Sequence, residues 1–329
     1  MQSMSTAPLS TNSVTAAPES SAELQRRMRQ ASRRRRWKAN IPLMLLFIPG
    51  LLFFAIFKYA PMGGLIIAFK DYNFFDGVFG SEWVGFKNFE TIFKQPQTVG
   101  IIRNTIILSV LNVFVGFPFP IILAIMLNEV RKTWYKRAIQ TIVYLPHFFS
   151  WVIIGGFVLT LFSTESGTIN HVLKSLLGEP FPFLFNAGSW ITIYVGSGIW
   201  KEMGFSAIIY LAALTSIDPS LYESASLEGA NKFQQIRHVT LPGISTTIVL
   251  MFILAMGRLM EVGFDHVYIL QNPTVSNVAD VISTFMYRIG LQGAQFSLTA
   301  AMGLFESIIG LILVLTANAL ARKYDKGLW

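Results

Sequence analysis

Residues 223–242 read Glu-Ser-Ala-Ser-Leu-Glu-Gly-Ala-Asn-Lys-Phe-Gln-Gln-Ile-Arg-His-Val-Thr-Leu-Pro, a polar segment between two long apolar stretches. Just before it, Asp218-Pro219 offers an N-cap and a proline at the first helical position, where the missing N–H costs nothing. Gly229 can take the left-handed conformation that ends a helix. A second apolar stripe, at a spacing of three, follows at Ala230, Phe233 and Ile236. The segment therefore predicts two short helices joined at a glycine.

The composition is that of a membrane protein. The chain has 329 residues, of which 53% are hydrophobic and only 13% are charged, whereas a soluble domain averages about 25% charged residues. The mean hydropathy is +0.51. The sequence contains no cysteine, which excludes disulfides, thiolate catalysis and cysteine-ligated metals.

Six apolar stretches approach or exceed the roughly 20 residues with which an α-helix crosses about 30 Å of hydrocarbon. They lie at 41–59, 101–127, 139–162, 188–215, 243–263 and 297–321. Prolines 118 and 120 fall inside the second stretch and predict a kink there. We expect an all-α integral membrane fold with about six transmembrane helices, in which the polar loop 216–242 joins the fourth and fifth.

The distribution of Lys and Arg predicts the orientation of the chain. Of the 26 Lys and Arg residues, 17 fall in the N-terminal tail, the loop at 128–138, the loop at 216–242 and the C-terminal tail, and seven fall on the opposite side. Cytoplasmic loops carry the excess of positive charge. Both termini and the polar loop are therefore predicted to be cytoplasmic, in a multi-pass protein in contact with membrane lipid.

The N-terminal tail is predicted to be separate from the membrane domain. Residues 1–22 are rich in Ser, Thr, Ala and Pro and have no apolar periodicity, so we expect disorder. The division is a disordered, basic cytoplasmic tail at 1–38 and a six-span domain at 39–329. Arg33 to Arg36 precede the first apolar stretch directly, as an orientation signal does, so we expect no nucleic acid as a partner.

The 223–242 segment resembles the signature loop (EAA motif) of permease subunits in ATP-binding cassette importers. That pattern is Glu-Ala-Ala, three residues, Gly, nine residues, Ile, one residue, Leu-Pro. The residues that match in register are Glu223, Ala225, Gly229, Leu241 and Pro242, whereas Ser224 and Val239 depart mildly from it. The resemblance implies a loop that docks into a groove on an ATPase subunit and follows its motion. The predicted coupling residues are Glu223, Ala225, Gly229, Ala230, Phe233, Leu241 and Pro242; the alternative is an ordinary loop with two amphipathic helices.

Three further stretches resemble the sugar-permease branch that serves lipoprotein-dependent uptake of polysaccharides and complex oligosaccharides. They are 58–64, 68–73 and 83–89, and the resemblance covers residues 40–329. The last stretch leads into an apolar stripe at Phe89, Ile92 and Phe93, which predicts a short amphipathic helix on the external face. Members similar to this chain import alginate or pectin-derived fragments across the bacterial inner membrane.

The resemblance also implies the partners of the chain. They are a second, homologous permease, two ATPase subunits that bind ATP and Mg, and an extracytoplasmic solute-binding protein that delivers the oligosaccharide. The sequence has no Gly-x-x-x-x-Gly-Lys-Ser/Thr, no His-Glu-x-x-His and no Gly-x-Ser-x-Gly. We therefore expect neither cofactor nor metal in this chain, and no enzymatic activity of its own.

The candidates for the solute pathway are charged residues within the apolar stretches, together with an amide for sugar hydroxyls (Asn104) and an aromatic ring for stacking (Trp200). A charge at the bilayer centre costs about 2.5–3.5 kcal/mol on insertion scales, so such residues face the bundle interior, a partner or water. The predicted pathway residues are Asn104, Trp200, Lys201, Glu202, Arg258, Glu261 and Glu306. The alternative is structural: Arg258 and Glu261, at i and i+3, could pair, whereas the adjacent Lys201 and Glu202 are not expected to pair.

These observations favour the permease subunit of an ATP-driven importer for complex, possibly acidic, oligosaccharides. The main alternative is an ion-coupled secondary carbohydrate transporter, for which Glu202, Glu261 and Glu306 would supply the acidic site. An intramembrane hydrolase is a third class, but the sequence offers no catalytic constellation for it.

Overall fold

A computed structural model describes residues 40–323 of the 329. The predicted tail at 1–38 lies outside the described residues. Chain packing divides the protein into two units, Met1–Gly64 and Leu65–Trp329. The described part of the first unit is helical: it comprises α1 (40–54), a π turn at Ala55–Tyr59 and the single turn Ala60–Met62. The 3-10 segment Gly63–Phe69 follows.

The second unit is almost entirely helical. It begins with a small hairpin, in which β1 (Lys70–Asp71) pairs antiparallel with β2 (Glu82–Trp83) around the short helix α2 (Gly77–Gly80). The helices up to the polar loop are α3 (Lys87–Lys94), α4 (Pro96–Gly116), α5 (Pro118–Glu129), α6 (Thr133–Tyr144), α7 (Trp151–Phe162), α8 (Thr168–Leu177) and α9 (Ala187–Leu214). The remaining helices are α10 (Pro219–Leu227), α11 (Lys232–Gln235), α12 (Leu241–Gly243), α13 (Ser245–Gly257), α14 (Phe264–Leu270), α15 (Ser276–Ala279), α16 (Ile282–Met286) and α17 (Phe296–Arg322).

Within the described residues, three helical runs are long and apolar enough to cross a membrane: Asn40–Phe69, Pro96–Glu129 and Phe296–Arg322. The number rises to six if each of three bent helix pairs counts as one span. The bends measure 103° between the segments 133–148 and 151–162, 76° between α9 and α10, and 63° between the segments 232–243 and 245–257. The fold is therefore a mostly helical membrane fold with three to six candidate spans.

Two predicted spans are not straight helices. The stretch 139–162 breaks at 145–150, where Pro146 lacks the N–H that would continue the helical ladder. The stretch 243–263 is helical only as far as Gly257, because the N–H groups of Arg258 and Leu259 bond the carbonyls three residues back and close the helix. By contrast, the prolines at 118 and 120 only separate α4 from α5 at Phe117, and the two form one 34-residue candidate span.

Helix α9 is central to the second unit and packs against α4, α5, α6, α7, α13 and α14. Two buried apolar clusters follow it. One surrounds Trp190 and Tyr194, and the other surrounds Tyr210 and Leu214. A third cluster forms where the first turns of α17 meet α3, α4 and α16, around Phe285. The first two clusters pack along α9 on either side of its middle and so position the polar side chains there.

At Gly204, helix α9 packs closely against the end of α6. A Cβ added at Gly204 would overlap the backbone carbonyl of Val143, so the two helices would have to separate. We expect Gly204→Ala to destabilise the fold by about 1–3 kcal/mol, as overpacking does. The measurement is the Tm of the purified protein, with Gly196→Ala as control, because a Cβ at Gly196 meets open space. Equal Tm values for the two variants would contradict this packing.

Candidate functional site

The polar loop begins with a well-capped helix. Pro219 is the first residue of α10, and the Asp218 carboxylate accepts a hydrogen bond of 2.9 Å from the Ser220 N–H. This bond favours the charged form and lowers the pKa of Asp218 below its usual value. The cap predicted from Asp218-Pro219 is therefore present, and it fixes where α10 starts after the 76° bend from α9.

Gly229 reverses the chain between α10 and α11. Its φ is +80°, in the left-handed region that glycine adopts without strain. The Ala230 N–H donates to the Ala225 carbonyl at 2.9 Å and closes the end of α10. Helix α11 then starts with a capping box, in which Asn231 and Gln234 exchange hydrogen bonds.

Two side-chain contacts tie the two halves of the loop together. The buried amide of Gln235 donates to the Ser226 hydroxyl at 2.9 Å and to the Ala230 carbonyl at 3.2 Å. The hydroxyls of Tyr222 and Thr240 lie 3.1 Å apart. The sequence predicts neither of these contacts, because polar residues in a polar loop give no sign of which partners they bond. These contacts hold the two halves of the loop together as one structural unit.

The loop exposes two large apolar side chains. Leu227 is almost fully exposed, and Phe233 is 72% exposed. The same loop contains an open cavity of about 440 Å³ that is lined by Ala225, Gly229 and Ala230 among others. Leu241 and Pro242 begin α12, and Glu223 is exposed on α10. Exposed apolar groups around a concave surface are typical of a protein-docking site.

A larger cavity of about 490 Å³ lies inside the helical bundle. Two predicted pathway residues, Glu202 and Arg258, line it. Its other polar and aromatic lining residues include Asn112, Trp151, Tyr194, Ser206, Tyr210 and His266. The size and the mixture of apolar walls with a few polar groups are those of a small-molecule site.

One wall of this cavity is a stack of rings. Tyr194 stacks on His266 with centroids 4.1 Å apart, and His266 stacks on Trp151 at 3.7 Å. The Ser197 hydroxyl lies 3.0 Å from His266 Nε2, and Asn112 donates to the Tyr194 hydroxyl at 3.2 Å. The sequence did not reveal this stack, because its three rings come from α7, α9 and α14, far apart in the chain. Flat, fixed rings are suited to packing against a sugar face.

Lys201 is held away from the cavity by neighbouring groups. It is buried, and its ammonium donates to the His147 carbonyl at 2.7 Å and lies 3.5 Å from the Glu202 carboxylate. It also lies 5.4 Å from the centre of the Trp151 ring. The expectation that Lys201 and Glu202 would not pair is wrong, since both long side chains converge on His147, whose Nδ1 is 2.8 Å from Glu202.

Arg258 differs from Lys201 in its surroundings. It follows the end of α13, lines the cavity and is exposed to it. Among the described residues, no side-chain hydrogen bond or ion pair engages its guanidinium. The ion pair with Glu261 considered from the i, i+3 spacing does not form, because the helix ends at Gly257 before that spacing applies.

The remaining predicted pathway residues lie elsewhere. Asn104 is buried and donates to the carbonyls of Asn277 and Asp280, each at 3.0 Å. Trp200 is exposed on the side of α9 away from the cavity lining. Glu261 and Glu306 face a separate cavity of about 390 Å³ between the end of α13 and α17. The structure thus brings only Glu202 and Arg258 of the seven together on the large cavity.

The chain belongs to the family of binding-protein-dependent transport system inner membrane components, whose profile matches residues 116–329. It is therefore a multi-pass inner-membrane permease and not itself an enzyme, and the EAA motif is typical of this class. The expected family is confirmed, and an ion-coupled secondary transporter is not favoured.

Two relatives from Bacillus subtilis (strain 168) resemble the chain over most of its length. The polygalacturonan/rhamnogalacturonan transport system permease protein YteP is 45% identical over 284 residues, covering 86% of this chain and 88% of the relative. Protein LplB is 44% identical over 284 residues, covering 86% and 89%.

A solved structure has the same fold. A chain in the crystal structure of a bacterial alginate ABC transporter, in complex with alginate pentasaccharide-bound periplasmic protein, superposes with a TM-score of 0.81. It is 43% identical in sequence, and the match covers 88% of this chain and 97% of that one. A second structure, of a bacterial ABC transporter involved in the import of the acidic polysaccharide alginate, gives a TM-score of 0.80 at 43% identity, with 88% and 99% covered.

Proposed function

We propose that this chain is a membrane-spanning subunit of an ATP-driven importer for acidic oligosaccharides, such as fragments of pectin or alginate. The observation that carries this proposal is the 45% identity to a polygalacturonan/rhamnogalacturonan permease over most of both chains. The structural likeness to the alginate transporter, at a TM-score of 0.81, supports the same substrate class. The polymers named for these two transporters both contain uronic acids, so a carboxylate is the feature they share.

The large cavity fits such a substrate. Trp151 is the half-buried end of its ring stack and offers an aromatic surface for a sugar face, whereas Tyr194 and His266 are buried behind it. Ser206 and Asn112 offer groups for hydroxyls. Arg258 offers a planar cation that is suited to a carboxylate. Glu202 carries a charge of the wrong sign for a uronate, but Lys201 and His147 engage it. In this proposal Arg258 is therefore the group that binds the carboxylate of the acidic sugar.

The polar loop couples this cavity to ATP. In this proposal the apolar face around Phe233 and Leu227 docks into a groove on one of two ATPase subunits, which bind ATP and Mg. The tie through Gln235 transmits the motion to α13, and Arg258 follows directly after the end of that helix. The cavity then opens alternately to the two sides. Residues 39–329 cross the membrane six times, with both termini and the loop in the cytoplasm.

The assembly needs two further partners. A second permease, similar to this one, completes the translocation pathway, and an extracytoplasmic solute-binding protein delivers the oligosaccharide. The alginate complex in which the related chain was solved contains a periplasmic protein of that kind.

The docking of the loop can be tested with a matched pair of variants. Phe233→Asp places a charge on the exposed docking face and should abolish co-purification of the ATPase subunits, because burying an unpaired carboxylate is costly. The control is Leu176→Asp on α8, a site 75% exposed against 72% for Phe233, on the proposed opposite side of the membrane. Retention of the ATPase by the Phe233 variant, or its loss from both variants, would refute this docking surface.

The different environments of Lys201 and Arg258 lead to a prediction for Lys201. We expect Lys201→Met to lower the Tm of the complex, because the His147 carbonyl and Glu202 lose their partner, at a cost of about 1–3 kcal/mol. The apparent affinity for the oligosaccharide should weaken less than in an Arg258 variant, because Lys201 does not line the cavity and only its compensation of the Glu202 charge is lost. Lys174→Met, at an exposed site on α8, serves as control. An unchanged Tm with weakened substrate affinity would instead place Lys201 in contact with the substrate.

A further inference from the structure

The small hairpin displays three phenylalanine side chains at its tip. Phe75 and Phe79 are 93% and 98% exposed, and Phe74 beside them is exposed as well. They lie on the turn and on α2, between the two strands. A cluster of uncovered phenylalanine rings on a structured segment is a contact surface that lacks its partner in the isolated chain.

We propose that this aromatic tip, residues 74–79, inserts into the leaflet of the lipid bilayer in which α17 begins. The proposal concerns a lipid contact and does not depend on the substrate. The proposed orientation of the chain enters only in naming that leaflet the outer one.

The hairpin satisfies several polar groups of its tip internally. The Lys70 ammonium turns inward and donates to the carbonyls of Val78 and Phe79, at 2.8 and 3.2 Å. The Ser81 hydroxyl donates to the Gly77 carbonyl at 2.6 Å, and the Gly77 N–H donates to the Asn73 carbonyl at 3.0 Å. A loop in water needs none of these bonds, and a protein partner would offer bonds of its own. A segment that enters lipid must make them itself.

The one acidic side chain of the tip is also engaged. The Asp76 carboxylate accepts a hydrogen bond of 2.9 Å from the Asn73 amide, whose oxygen in turn accepts from the Phe75 N–H at 3.1 Å. Asn73 and Asp76 remain exposed, but their side chains bond to each other. The three phenylalanine rings are the apolar part of the tip surface.

The hairpin is fixed at the level where the last candidate span begins. The Tyr72 N–H donates to the Ser297 hydroxyl at 2.9 Å, in the first turn of α17. Trp83 of β2 stacks on Phe69, which also contacts Phe89 on α3. Farther along α3, Phe93 packs on Phe305, about 13 Å along α17 from Phe296 at 1.5 Å per residue. Helix α3 therefore lies beside the first turns of an apolar span, and the tip projects from the level of a bilayer interface.

Spin labelling can test this proposal because the native chain contains no cysteine. Phe75→Cys and Phe79→Cys would each be labelled in the complete transporter, reconstituted in phosphatidylcholine vesicles. Collision rates with oxygen, which concentrates in lipid, and with a water-soluble nickel chelate report where the label lies. Both sites are exposed, so labelling leaves the packing intact. The control is Glu165→Cys, in the exposed turn after α7.

At positions 75 and 79 we expect the collision rate with oxygen to exceed the collision rate with the nickel chelate. At position 165 we expect the reverse. Both results should hold with or without the solute-binding protein. Three results would overturn the proposal. Nickel access above oxygen access at the two tip positions would place the tip in water. Low access to both reagents in the transporter would show that a permease subunit covers it, and protection that appears only upon adding the binding protein would assign the surface to that protein.

Discussion

Replacement of Gly229 by proline is expected to abolish ATP-driven uptake while leaving the protein in the membrane. Gly229 has a φ of +80°, and proline is confined near −65°. The Gly229 N–H, which donates to the Ser226 carbonyl at 3.1 Å, would also be lost. Helices α10 and α11 could then no longer present one docking face, although no transmembrane stretch is altered. The measurement is oligosaccharide uptake together with substrate-stimulated ATP hydrolysis by the reconstituted transporter.

Gly178 provides a matched control for this experiment. It has a φ of +86° at the end of α8, and its N–H donates to the Lys174 carbonyl at 3.0 Å. Gly178→Pro therefore imposes the same backbone change outside the polar loop, and the ATPase subunits should still co-purify with that variant. Wild-type uptake and ATP hydrolysis by the Gly229 variant would show that the loop does not transmit motion.

The second large effect is expected at Arg258. Arg258→Met removes the cavity-lining guanidinium that the described residues leave without an ion pair, so an acidic oligosaccharide loses a charge-assisted contact. Such a contact contributes about 1.5–3 kcal/mol, which corresponds to an apparent affinity poorer by roughly 10- to 150-fold. The protein itself should be as stable as the wild type, because no partner inside the chain is abandoned.

Substrate dependence separates this role from a general defect. The concentration of oligogalacturonate that half-saturates ATP hydrolysis should rise most in the Arg258 variant, whose Tm stays unchanged. The Lys201→Met variant should show a lower Tm and a smaller rise, because it loses only the compensation of the Glu202 charge. If Arg258→Met left the half-saturating concentration unchanged, the carboxylate would be read by another group.

The predictions from sequence succeeded where one local signal dominated. The fourth and sixth apolar stretches, 188–215 and 297–321, correspond to α9 and α17, because no proline or cap interrupts their helical hydrogen bonding. The third and fifth stretches were predicted as single helices because hydropathy does not register backbone geometry. Pro146 breaks the one, and the turn after Gly257 ends the other.

The candidate site shows the same contrast. The conformation of the polar loop depends on contacts between residues near in sequence, such as the Asp218 cap, so motif spacing and capping rules could predict it. The cavity depends on contacts between distant segments. Neither the stacking of Trp151 on His266 nor the capture of Lys201 by the His147 carbonyl leaves a local signal. Charge within an apolar stretch therefore identified Lys201 and Arg258 together and could not separate their roles.

Uptake of labelled oligogalacturonate by proteoliposomes would test the central claim most directly. The vesicles would contain this chain, the second permease and the ATPase subunits, with binding protein outside, ATP and Mg inside, and no ion gradient. We predict uptake that requires ATP and falls sharply when the carboxylates of the oligosaccharide are methyl-esterified. Uptake without ATP under a proton or sodium gradient would contradict an ATP-driven importer, and equal uptake of the esterified form would contradict recognition of the acid.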